Sequence, residues 1–103
     1  MDITEIIDKV LERPEMYLGA KSVSRLKAFI DGYRIAIESS KQPMNQESYF
    51  GFFDWVSREY KIETSHSWDN IALFMSGGDE HAALDLTREL WKRYKDKINQ
   101  INN

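Results

Sequence analysis

Apolar residues that return every three or four positions dominate this sequence, and a chain so patterned must bury helix faces against one another. Ile3, Ile6, Ile7, Val10 and Leu11 form the first such stripe. Asp2 stands at its head as an N-cap, and Glu5 follows three positions on in the manner of a capping box. Pro14 biases Arg13 away from helical dihedrals, so the spacing predicts a helix from about Ile3 to Glu12. A second stripe, Leu26, Phe29, Ile30, Tyr33 and Ile37, predicts a helix that opens after Ser22 or Ser24 and runs to about Ser40. On that helix Ala28, Gly32 and Ala36 form another line at four-residue steps. A helical glycine costs about 1 kcal/mol relative to alanine, so Gly32 predicts close approach by another backbone.

The later segments extend the same pattern. "SSKQPMN" breaks the period at Pro43 and Asn45. Tyr49, Phe52 or Phe53, Val56 and Tyr60 then predict a third helix within "QESYFGFFDWVSREY". Phe50 and Trp55 widen its apolar arc, which implies either a nearly surrounded helix or an edge that serves as a contact surface. Residues 61–75 allow a short helix starting near Ser67 or a small strand pair through Ile62, Thr64 and His66. After the "SGGDEH" break, Asp79 can cap a final helix. Ala82 or Ala83, Leu86, Leu90, Tyr94 and Ile98 give that helix a core face, with Trp91 covering its edge. The expected fold is mainly α: a compact bundle of about four helices in a single domain spanning residues 1–103.

Composition narrows the function classes. The chain has no cysteine, which removes disulfides, thiolate nucleophiles and cysteine-ligated zinc. Its N-terminus, MDITEIIDKVLE, is acidic where a secretory signal is basic, and no apolar run reaches the length of a membrane span. Cytoplasmic residence, without a membrane partner, is the expectation. The net charge of −3 is unevenly spread. Residues 47–85 carry eight acidic side chains against Arg58 and Lys61 alone, whereas Arg88, Lys92, Arg93, Lys95 and Lys97 load the last helix with positive charge. An acidic middle repels phosphate backbones and favours a basic partner, so nucleic acid is not the expected ligand.

No arrangement of side chains specifies a reaction. His66 with Asp69, and His81 with Asp85, could form a two-histidine, two-carboxylate metal site only if the two pairs converged, which their spacing does not require. No segment resembles a nucleophile elbow, and "SGGD" lacks the lysine and glycine pattern of a phosphate loop. No catalytic residue, metal or cofactor is therefore assigned, and the chain is not read as an enzyme.

The segment "RPEMYLG", residues 13–19, resembles the arginine–proline–any–methionine–tyrosine–hydrophobic–glycine sequence of type II topoisomerase ATPase subunits of the gyrase B family. That likeness covers seven of 103 residues. The family's metal-binding asparagine and its aspartate-plus-glycine nucleotide motifs have no counterpart, and the chain is too short for its ATP-binding sandwich. A broader resemblance is to small, mainly helical bacterial proteins with an N-terminal RPxMYxG segment, a following "FxxGY" helix and a late "DE" before the last helix. Here these are Arg13 to Gly19, "FIDGY" at Phe29 to Tyr33, and Asp79 with Glu80. This resemblance implies an immunity protein of a bacterial toxin system, which binds and occludes an effector.

For that role Asp54, Glu59, Glu63, Asp69, Asp79 and Glu80 are the candidate contacts, facing a basic toxin such as a nuclease. Trp55 and Trp68 are candidate anchors, provided they are accessible. Two other classes stand beside this expectation. One is a homodimer whose large aromatic surfaces become core on assembly; the other is a small enzyme or metal-binding protein. Within the opening segment each residue also has a structural use. Arg13 and Pro14 end a helix, Met16, Tyr17 and Leu18 form an apolar plug, and Gly19 turns the chain.

Overall fold

The structure is a computed structural model that describes residues 2–41, 45–62 and 66–102, with side chains described through residue 100. Six helices run through these residues: α1 (Ile3–Glu12), α2 (Pro14–Leu18), α3 (Val23–Glu38), α4 (Glu47–Glu59), α5 (Trp68–Met75) and α6 (Glu80–Asn102). The expected mainly helical bundle is present, with α2 and α5 as short additions to four longer helices. The short helix allowed near Ser67 is α5; Thr64 of the alternative strand pair lies outside the described residues, and no strand occurs among those residues. No helix among those residues is long and apolar enough to cross a membrane.

Local chemistry sets the helix ends. The Asp2 carboxylate accepts from the Glu5 backbone N–H at 2.9 Å and opens α1. Ser22 opens α3 by accepting from Arg25 N–H at 3.2 Å, and Asp79 opens α6 by accepting from Ala82 N–H at 2.9 Å. Pro14 sits at the first turn of α2, where its missing N–H costs nothing.

The opening segment is thus a one-turn helix between two longer ones. Gly19 closes it at φ +80°, a left-handed conformation that favours glycine. A Cβ on Gly19 would also stand 2.8 Å from an Arg25 guanidinium nitrogen. That guanidinium donates to the Leu18 carbonyl at 2.8 Å and so satisfies the end of α2. Likewise Arg88 donates twice to the Leu11 carbonyl, from Nε at 3.1 Å and Nη2 at 2.7 Å, at the end of α1. Leu18 and Pro14 are buried, but Met16 is 64 % exposed and does not join the plug. A single turn of helix points only part of its circumference inward, and Met16 falls on the outer part.

All six helices contribute to one buried cluster. Helix α6 packs against α3, α4 and α5, while α1 packs against α2, α3 and α4. Phe52 on α4 is the centre of an aromatic group. Its ring lies 5.1 Å from Trp91 in an edge-on arrangement, 5.4 Å from Tyr94, 5.8 Å from Trp68 and 6.3 Å from Trp55. Each such pair adds about 0.5–1.5 kcal/mol beyond area burial. Trp91, expected at an edge, is buried, because its indole N–H finds the Asp8 carboxylate at 2.8 Å on α1.

The close backbone approach expected at Gly32 does not occur among the described residues. Gly32 lies on the open side of α3, and among the described residues nothing beyond its chain neighbours and its own helix backbone stands within 4 Å of where its Cβ would be. Leu26, Ile30 and Ile37 carry the packing on the other side of that helix, so Gly32 serves no helix contact among the described residues. The crowded glycine is Gly51, where a Cβ would stand 2.5 Å from the Tyr94 hydroxyl oxygen.

Candidate functional site

Four of the candidate contact residues, Glu59, Asp69, Asp79 and Glu80, are engaged within the fold. The Glu80 carboxylate accepts from Ser22 Oγ at 2.8 Å, Ser24 N–H at 2.8 Å and Ser24 Oγ at 2.6 Å, clasping the start of α3 to the start of α6. These bonds, those to Ser24 foremost, hold its carboxyl below the ordinary 4.5. Glu59 pairs with Arg93 at 2.6 Å across α4 and α6. Asp69 accepts from the Ser67 hydroxyl at the start of α5, and Asp79 caps α6. Asp54 is exposed on α4. Glu63 lies outside the described residues.

The tryptophan anchors fail for a physical reason. Trp55 is only 7 % exposed and Trp68 only 2 %, since both pack on Phe52 inside the cluster. Trp68 donates from its indole to the Tyr49 hydroxyl at 3.1 Å. Burial in turn pushes the Tyr49 phenol well above its ordinary 10.0. The same packing removes the large aromatic surface that a homodimer of the expected kind would bury, because Tyr49, Phe52, Trp55, Trp68, Trp91 and Tyr94 already form core within one chain.

The two histidine pairs remain separate features. His81 lies 3.8 Å from Asp85 one turn along α6, and Asp85 is also bound to Lys21 at 2.9 Å. The Lys21 contact holds the Asp85 carboxyl below its ordinary 3.8. His66 lies in a different place, before α5. No group of three or more metal-ligating side chains occurs among the described residues.

Among the hollows lined by described residues, two are the most roomy. One, of about 490 Å³, runs between α1 and α6 and is lined by Asp8, Leu11, Glu12, Arg88, Trp91, Lys92 and Lys95. Most of its polar groups are committed to each other: Arg88 holds the Leu11 carbonyl, while Trp91 and Lys95 both donate to Asp8. The other, of about 640 Å³, is mainly apolar and is lined by Ile62, His66, Asn70, Ile71 and Phe74. Phe74 is 79 % exposed at its margin, and Met75 beside it is also exposed.

Sequence reasoning missed Phe74. Its signal was present: Trp68, Ile71 and Ala72 define the buried arc of α5, and Phe74 falls outside that arc on a 3.6-residue wheel. A large aromatic off the core arc of a short helix is the kind of side chain that a partner buries. No protein-family model, no curated protein and no solved structure matches this chain.

Proposed function

We propose that this protein acts by binding another protein, as an immunity-like inhibitor that covers a bacterial toxin effector, and that it performs no reaction of its own. The observation that carries the proposal is Phe74, an aromatic ring held out in solvent beside an apolar hollow of about 640 Å³. A partner that buries Phe74 and Met75 removes apolar area from water at about 25 cal/mol per Å² before the costs of association. Asp69, at the start of the same helix, and Asp79, in the turn that follows it, place negative charge on either side of Phe74 in the sequence. Together with Asp54 on α4 they favour an effector with a basic surface, such as a nuclease. Action inside the cytoplasm belongs to the same proposal.

The test is capture of the effector from the source cell by the full chain, followed by titration of the purified effector's activity. Stoichiometric loss of activity is expected. Phe74→Ala should weaken binding at least about tenfold while its thermal melt matches the parent chain. An effector that stays active when saturated with the protein overturns the proposal.

A further inference from the structure

We propose that the apolar hollow beside α5 binds a small aliphatic monocarboxylate, its chain among Ile62, Ile71 and Phe74 and its carboxylate met by Arg58 and Lys61. The hollow has about 640 Å³, and His66 and Asn70 are the polar residues of its described lining. That size, with a mainly apolar wall and a few polar groups, is the make-up of a small-molecule site. Ile62 also lines a second hollow of about 320 Å³, where its neighbours are Ser57, Arg58 and Lys61. An apolar space and a place lined by two cations thus share one side chain.

Those cations are uncommitted. Arg58 and Lys61 are the only lysine or arginine residues between positions 47 and 85. Both are exposed, and neither side chain has an ion-pair or hydrogen-bond partner among the described residues. Lys21, Lys27, Arg34, Arg93 and Lys95 are by contrast each joined to a carboxylate. The Arg58 guanidinium is a planar fork that matches a carboxylate, and the Lys61 ammonium adds a point charge.

Lys61 also stands where glycine is the ordinary residue. Helix α4 ends with the Ile62 N–H donating to the Ser57 carbonyl at 2.9 Å and the Lys61 N–H to the Arg58 carbonyl at 3.2 Å. This turn sets Lys61 at φ +53°, and among the described residues no other non-glycine residue has a positive φ. Arg58 already gives the end of α4 the positive charge that its dipole favours, and does so without backbone strain. A lysine held in the left-handed region beside an apolar hollow points to a use for its side chain.

Isothermal titration calorimetry of the full chain with sodium octanoate is the test. No effector is present, so this proposal and the toxin contact at Phe74 can fail separately. A dissociation constant of about 30–300 μM is expected, with octan-1-ol, which keeps the chain and lacks the charge, at least about tenfold weaker. Lys61→Gly relieves the backbone and should melt no lower than the parent chain, yet bind octanoate about tenfold more weakly. Asn70→Trp fills the hollow from its exposed side and should abolish binding with the melt unchanged. No binding up to about 3 mM octanoate overturns the proposal. So does octan-1-ol binding as tightly as octanoate, or an octanoate affinity that either variant leaves unchanged.

Discussion

Gly51 and Tyr94 share one volume: the Tyr94 hydroxyl passes over the glycine, 2.5 Å from where a Cβ would stand, and donates to the Ser48 carbonyl on the same helix. The ring packs against Phe52, Trp55 and Trp91, so a shift of the hydroxyl disturbs those contacts. Gly51→Ala should therefore destabilise the fold by about 1–3 kcal/mol although alanine is the better helix former. Gly32→Ala should do the reverse and stabilise the dilute protein by about 0.4–1 kcal/mol, because its Cβ meets nothing. Urea melts of the two variants give the comparison, and equal effects at both sites would refute it.

Arg88 ties the end of α1 to α6 across 77 residues of sequence. Arg88→Ala removes two donors from the Leu11 carbonyl and should cost about 1–3 kcal/mol in the same melts. Arg88→Lys keeps one flexible donor and should recover only part of the loss. Full stability in the alanine variant would show that the carbonyl needs neither bond.

Trp55 and Trp68 pack on the same phenylalanine but differ in their indole N–H groups. Trp68 donates to Tyr49, whereas the buried Trp55 Nε1 finds no acceptor among the described residues. Replacement by phenylalanine removes a bond at one site and an unsatisfied donor at the other. Trp68→Phe should be the more destabilising by about 1–2 kcal/mol. An equal or opposite ranking in thermal denaturation would contradict this assignment.

Acid should loosen the clasp between α3 and α6. The Glu80 carboxyl is held below its ordinary 4.5 by Ser24 and Ser22, so the folded state favours its charged form. The resulting stability is fully present above the unfolded value and is lost as pH falls through the lower folded value. Glu80→Gln should remove this contribution, flattening the decline in stability below about pH 4.5. Melting temperatures from pH 7 to pH 2 measure the slope, and an unchanged acid limb in Glu80→Gln would refute the role. Solvent around the carboxylate keeps the effect small.

Much of the helical framework was legible before any tertiary information. The apolar periods place α1, α3, α4 and α6; Asp2 and Asp79 cap the helices whose starts they were expected to mark, and of the alternatives Ser22 and Ser24 it is Ser22 that caps α3. Those features depend on residues within a few positions of one another, which is the range over which a sequence speaks directly. The candidate site was far less legible. Glu80 was expected to meet a partner, yet Ser24 claims it from 56 residues away. Trp55 and Trp68 were candidate anchors on the condition that they were accessible, and Phe52 gathers both inward.

By itself, the sequence determined that helices form, where most of them begin and which stripe of each is apolar. Only the tertiary structure decided which aromatic stays outside, which glycine is crowded and which carboxylates are already engaged. The reason is geometric. Helix formation and capping are local, but burial, clearance and ion pairing depend on which distant faces meet, and several meetings are compatible with the same periods. Gly32 and Gly51 show the difference: both sit inside helices, and only the position of Tyr94 distinguishes the filled space from the open one.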